Sequence, residues 1–236
     1  MTDPDTLAAA APPTDPDALA AAALGLARRF AAGATLWCVA EPWPTHGRHV
    51  AVEFVHPVVV GKRALPAFHV EGADIVGAVR LVARPGDALV VVGTAADSLG
   101  LLRRAEAWGL TRVWLGAGSP PPAGLAEHVV WHDTPAPDIA ARSGDVVLLY
   151  HLLWELTHVV FEHPGLLTPE APCDGPTCIT CADQGTVAEI RAVDTSGRAE
   201  VLAAGRTETV DVSLVEGAAA GDLVLVHAGV AVATVP

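Results

Sequence analysis

The chain has 236 residues, of which 51% are hydrophobic, 17% charged and only 5% aromatic, and its mean hydropathy is +0.40. At about 100–200 residues per domain this allows one or two domains, and the Ala, Val and Leu content excludes disorder for most of the chain. Gly, Pro or acidic residues interrupt every long apolar run, so no spanning helix of ~20 residues is expected. The net charge of −13, with Lys62 as the one lysine, opposes nucleic-acid binding, because that affinity comes largely from Lys and Arg neutralising phosphates. Met1-Thr2-Asp3-Pro4-Asp5 lacks the cationic start of a signal peptide. A soluble, cytoplasmic protein with no membrane or nucleic-acid partner is the expectation.

Residues 1–14 show no apolar period and are expected to form a disordered tail. Asp15-Pro16-Asp17 then reads as a helix start, with proline in the first turn and acids at the positive end of the dipole. The helix it opens runs to about Gly33. Ala34–Ala40 is a short apolar strand. His49–Val60 is apolar with His49, Glu53 and His56 embedded, and Ala73–Val82 is a second helix. Asp87–Val92 is a continuous apolar run, suited to a parallel strand buried on both faces. A helix over Ser98–Trp108, strands at Arg112–Leu115 and Glu127–His132, and a long helix at Asp145–Phe161 follow. This alternation predicts an α/β sandwich with a mostly parallel sheet over 15–163. The six tryptophans are scattered through these elements, and core packing is their expected role.

The texture changes at 164–177, where four prolines and two glycines read as a linker. Beyond it, short β-type runs at Thr186–Val193, Ala199–Ala203, Glu208–Leu214, Leu223–His227 and Val230–Val235 are separated by glycine turns. They predict a small all-β barrel, OB-like, over 178–236.

Cys38 stands alone in an apolar stretch, whereas Cys173, Cys178 and Cys181 crowd together. In a cytoplasmic setting such clusters bind metal or react rather than form disulfides. Two alternatives stay open. Cys178 or Cys181 acts as a thiolate toward iron, a soft ligand for a low-valent metal. Or the three cysteines, with His163, hold a structural zinc, for which the Cys-x-x-Cys spacing is right.

Four pieces in order carry a resemblance: Cys178-Ile-Thr-Cys181, Gly185-Thr-Val-Ala-Glu-Ile190, Val210-Asp-Val-Ser-Leu-Val215 and Gly221-Asp-Leu-Val-Leu-Val-His227-Ala-Gly229. This set resembles the HypC/HupF family of hydrogenase-maturation chaperones. The resemblance implies that Cys178 or Cys181 holds an iron fragment carrying CN and CO ligands and that His227 lines the same mouth. It also implies as partners a hydrogenase large-subunit precursor and a HypD-type maturation protein.

The α/β part carries a second resemblance. His49-Val-Ala-Val-Glu53 and Tyr150-His151-Leu-Leu-Trp-Glu155 resemble segments of the SIS (sugar isomerase) fold of the phosphoheptose isomerases. The resemblance implies Glu53 as the enediol base and His151 as its catalytic partner, in a sedoheptulose 7-phosphate isomerase-like enzyme. Four-residue spacing puts His49 and Glu53 on one helix face, where imidazole and carboxylate could move a proton. In relatives that carry zinc, the same His and Glu help to ligate it, with a glutamine at the position of Ser143. Gly93-Thr94-Ala95-Ala96-Asp97-Ser98 stands where that family binds sugar phosphate through hydroxyls and a helix N-terminus, which assigns Thr94, Ser98 and His49 to ligand binding. The glycine-rich loop after the first strand is replaced by Ala40-Glu-Pro-Trp-Pro-Thr-His-Gly47, stiffened by two prolines. An active isomerase, a phosphosugar-sensing module and a scaffold are therefore all compatible with this part, and pairing into a homodimer through it is expected.

Overall fold

The computed structural model describes residues 15–41, 43–118, 121–133, 143–168 and 185–236. The expected tail (1–14) and the segment with Cys173, Cys178 and Cys181 lie outside the described residues.

The first unit is α1 (Pro16–Ala31), β1 (Leu36–Val39), α2 (Pro44–Val55), β2 (Ala67–His69), α3 (Ile75–Val82), β3 (Ala88–Val92), α4 (Ala95–Ala107), β4 (Thr111–Gly118), β5 (His128–Asp133) and α5 (Ser143–Glu162). Helix α1 starts as its sequence dictates: the Asp15 carboxylate accepts the Asp17 N–H at 2.9 Å, and Pro16 occupies the first turn. The five strands are all parallel, in the order β2-β1-β3-β4-β5. Alternate residues of β3 serve opposite layers. Val90 and Val92 pack with α1, α2 and α5, while Leu89 and Val91 pack with α3 and α4. The result is the SIS-like three-layer sandwich.

Asp87, directly before β3, ties the sheet's lower edge. Its carboxylate accepts the Thr35 and Arg84 N–H groups and the Trp37 indole N–H at 2.9–3.0 Å. By length and composition Gly144–Glu162 could cross a membrane. Instead its Val146, Tyr150 and Leu153 are buried in the core against α1 and α2. Pro164–Leu167, the start of the expected linker, forms one 3-10 turn held to α1 through Arg28, which donates to the Leu166 and Thr168 carbonyls.

Two local expectations are revised. Strand β2 was not expected: three residues with one apolar neighbour in the core carry no readable period, and only pairing with β1 makes them a strand. Helix α2 begins at Pro44 rather than beyond Gly47, because proline at the first helical position gives up only an N–H that has no partner there anyway. The supposed loop thus supplies a helical turn that carries His46.

The second unit has β6 (Thr186–Val193), β7 (Arg198–Ala203), β8 (Arg206–Asp211), β9 (Leu223–His227) and β10 (Val230–Thr234), closed as a mixed barrel in the order β10-β8-β7-β6-β9. Closure rests on one parallel bridge, Val230 to Asp211, beside the Asp211 N–H to Gly229 carbonyl bond of 2.9 Å. Ala188, Ile190, Val201, Val210, Val224 and Ala231 fill the interior. Strand β8 ends at Asp211 rather than Leu214. The Asp211 carboxylate accepts the Ser213 N–H at 2.8 Å and turns the chain.

The barrel is docked on α3 and α4. Glu189 of β6 accepts the Trp108 indole N–H and lies 3.6 Å from Arg80, whose guanidinium sits 5.3 Å from the Trp108 ring centroid. Arg104 donates to the Gly221 carbonyl at 2.8 Å, and the Gly205 N–H to the Ala107 carbonyl at 2.9 Å. Leu223 belongs to the α3–α4 core. The β7–β8 turn can approach because Gly205 has φ +76°, and a Cβ there would lie 2.6 Å from Pro85.

Candidate functional site

On the layer opposite the barrel, α2 and α5 bring three ionisable side chains together. His49 and Glu53, one turn apart on α2, meet at 3.1 Å between Nε2 and Oε1. His151 of α5 places its Nε2 3.3 Å from the same carboxylate oxygen. One ligand atom from each residue lies within 4.8 Å of the other two. The carboxylate is the sheltered member, 15% exposed, against 41% for His49 and 37% for His151. The cluster is therefore open to solvent along its imidazole edges.

The orientation of His151 is fixed. Its Nδ1 lies 2.8 Å from the Val147 carbonyl, which only accepts, so Nδ1 carries the hydrogen. A neutral His151 then turns the Nε2 electron pair toward a carboxylate oxygen. Two electron pairs facing each other at 3.3 Å repel unless a proton or a metal cation lies between them. This donor set, two imidazoles and one carboxylate with open solvent on one side, fits zinc.

Two residues behind the cluster were not anticipated. Tyr150, the single tyrosine of the chain, places its hydroxyl 2.7 Å from His49 Nδ1 and 3.5 Å from His46 Nδ1. Burial, reinforced by the Glu53 carboxylate, pushes its phenol up to about 12, so it stays a donor at neutral pH. His46, on the first turn of α2, is buried, and its imidazole is lowered by burial first and by His49 second. The signal for both lay in the sequence as neighbours: Tyr150 adjoins His151, and His46 precedes His49 by three residues.

The other candidate positions are placed as follows. Thr94 is the N-cap of α4. Its Oγ1 accepts the Asp97 N–H at 3.2 Å and lies 2.6 Å from the Asp97 carboxylate. Ser98 is buried and donates to the Thr94 carbonyl at 2.7 Å. Thr94 thus caps the helix, and Ser98 is tied back to the Thr94 carbonyl. The crevice beside them, about 140 Å³ at the carboxyl ends of β1 and β3, includes Glu41 and Asp97 in its lining and, among the described residues, no Lys or Arg. Such a crevice is where open parallel sheets of this strand order bind ligands. None of His49, Glu53 and His151 lines it. Ser143 opens α5. Cys38 is fully buried, and burial pushes its thiol far up, which makes it an inert core residue.

In the barrel, His227 ends β9, opposite Val230 and half-buried. Alternation along the strand puts Val226 inside. A cavity of about 470 Å³ at this end of the barrel is lined by Thr186, Val226, Ala228, Arg206 and Glu208 among others, and His227 stands on the outer side of that wall. Cys178 and Cys181, the expected partners of His227, lie outside the described residues. Thr186, which begins β6, lines the same cavity.

Residues 184–236 match the model of the HupF/HypC family. The match spans the whole barrel and leaves the α/β unit outside it. Sequence comparison with curated proteins finds no match. Among solved structures, a phosphoheptose isomerase from Francisella tularensis is similar at 20% identity and a TM-score of 0.52, over 61% of this chain and 86% of that one. A phosphoheptose isomerase from Neisseria gonorrhoeae is similar at 17% identity and a TM-score of 0.49, over 60% and 85%. At this identity the first likeness establishes the fold of the α/β unit.

Proposed function

We propose that the protein is a cytoplasmic hydrogenase-maturation accessory protein whose barrel handles the iron fragment of a NiFe hydrogenase through Cys178 or Cys181. The observation that carries this reading is the HupF/HypC match over 184–236 on a closed barrel. The thiolate supplies a soft anionic ligand to low-valent iron, and the cysteines stand a few residues before the strand that borders the barrel cavity. The partners are the large-subunit precursor and a HypD-type protein. The test is hydrogenase maturation in a strain lacking its own chaperone, complemented with wild type, Cys178→Ala, Cys181→Ala and the double variant. Loss of activity in one single variant identifies the working thiol; full activity in the double variant sinks the thiol role. Stoichiometric zinc that both single variants release would point instead to the structural zinc reading of this cluster.

The α/β unit carries its own site. We infer that His49, Glu53 and His151 hold a zinc ion, supported by the His151 electron pair that faces the Glu53 carboxylate and by His49 Nε2 3.1 Å from the same oxygen. When bound, such an ion supplies Lewis-acid polarisation of a carbonyl or ties α2 to α5. Exposed Val52, Leu148 and Leu152 lie on the same two helices and support pairing of two copies beside the site.

The second reading is a phosphosugar isomerase, favoured by the same convergence. Glu53 would take the proton from the carbon next to the carbonyl, and His151 would serve the oxygen. Against it stand the carboxylates of Glu41 and Asp97 in the adjacent crevice and the engagement of the Thr94 and Ser98 hydroxyls within the first turn of α4. Turnover of sedoheptulose 7-phosphate, lost in Glu53→Gln, would establish it. A thermal shift with the sugar phosphate and no turnover would mark a sensing module. Neither response leaves this unit as scaffold.

A further inference from the structure

Both nitrogens of His49 have a polar partner, and the partner of Nδ1 can serve either tautomer of the ring. His49 Nε2 faces Glu53 and His49 Nδ1 faces the Tyr150 hydroxyl. A hydroxyl donates one hydrogen and accepts others, so it suits either tautomer of the ring. With hydrogen on Nε2, His49 donates to Glu53, and Tyr150 donates to Nδ1. With hydrogen on Nδ1, the ring donates to the Tyr150 oxygen, and the phenol hydrogen needs a second acceptor. His46 Nδ1, 3.5 Å from that oxygen, is the atom in place to take it. The rings of His46 and His49 both meet Tyr150 edge-on, with centroids 5.9 and 5.1 Å away.

We propose that Tyr150, backed by His46, is the positioning group of the cluster, setting which nitrogen of His49 turns a free electron pair toward the Glu53 and His151 ligand atoms. In the resting arrangement the Glu53 carboxylate, which only accepts, keeps a hydrogen on His49 Nε2, so Nδ1 accepts the phenol hydrogen. For His49 Nε2 to serve as a cation ligand, its proton would leave and one would be taken up at Nδ1. The ring stays neutral, and the phenol hydrogen rotates from His49 to His46. His151 needs no such device, because the Val147 carbonyl already fixes its hydrogen on Nδ1. The two histidines thus differ: one is held permanently ready for a cation, the other becomes ready by a local exchange. Groups that set the far nitrogen of a ligating histidine typically govern metal affinity by 10–100-fold.

The inference rests on the zinc reading of the cluster, and the experiment separates the two. Zinc affinity is measured by chelator competition on the full-length protein, and the His49 tautomer is read by ring 15N NMR with and without zinc. Wild type is expected to show hydrogen on Nε2 without zinc and on Nδ1 with it. Tyr150→Phe is expected to lose the fixed zinc-free tautomer and to weaken zinc about 10–100-fold. His46→Leu is expected to weaken zinc less and to leave the zinc-free tautomer unchanged. The double variant is expected to be no weaker than Tyr150→Phe, since His46 acts through the phenol. Wild-type zinc affinity and tautomer in Tyr150→Phe overturn the proposal. If the wild type binds no zinc, the metal reading falls, and the zinc-free tautomer in Tyr150→Phe still decides whether Tyr150 positions the ring.

Discussion

The two units of this protein announce themselves in opposite ways. The barrel is written as contiguous strand motifs, so its family match covers it from end to end. The α/β unit has a scattered signature, a His and a Glu one turn apart on one helix and a second His far along the chain, and only the fold brings them within 3.3 Å of a common oxygen. A barrel of short strands is defined by its turns and its alternation, which are local. A site between two helices is defined by packing, which is not. Recognition by motif therefore works best where function and local structure share the same residues.

Whether the two units unfold together is the first way to break that comparison. Asp87 satisfies three N–H groups at the edge of the sheet. Replacing it with alanine orphans all three, and a loss of about 3 kcal/mol or more is expected by denaturant unfolding. One transition for both units would show that the barrel is part of the same cooperative body; two transitions would separate them. The Gly205→Val variant attacks the seam itself. It forces a β-branched residue to φ +76° and drives a Cβ against Pro85, for an expected cost of about 2–3 kcal/mol. Limited proteolysis should then cut between the units while the barrel keeps its own β spectrum. Glu189→Gln is milder. It keeps an acceptor for the Trp108 indole but removes the charge facing Arg80, and about 1 kcal/mol is expected. Equal stability at low and high salt for the variant, with a salt-sensitive wild type, would assign that loss to the charge.

The smallest effect is a pH dependence. His46, His69 and His128 are each lowered from 6.5, with burial the first cause. A depressed imidazole favours the neutral form in the fold. Its contribution is complete above pH 6.5 and is lost as pH falls, because the unfolded chain takes up protons first. Thermal stability is expected to decline from pH 7 toward pH 5, less steeply in His46→Leu and His128→Leu. A flat profile would place these rings in contact with solvent.

Much of this architecture was legible before any fold was known. The run Asp87–Val92 announced a strand buried on both faces, and β3 is buried at every position. The glycine turns of the barrel fell where expected: Gly197, Gly205, Gly217 and Gly221 all have positive φ, which favours glycine, although Ala204 and Ala228 adopt it too. What failed was short or context-bound. Strand β2 exists through its pairing with β1, and the first turn of α2 through a proline whose effect depends on where the helix begins. The N-cap role of Thr94 was equally hidden, because a hydroxyl before a helix reads the same whether it holds the helix or a phosphate.

The amino-acid sequence by itself determined the two units, the parallel α/β order, the barrel and the pairing of His49 with Glu53, because hydrophobic period, turn residues and one-turn spacing act over a few residues. Tertiary structure alone decided that His151 reaches the same carboxylate, that Tyr150 and His46 stand behind it, and that the barrel sits on the opposite layer. These are contacts between segments about 100 residues apart in the chain, and their geometry follows from how helices pack on a sheet. No local pattern encodes it.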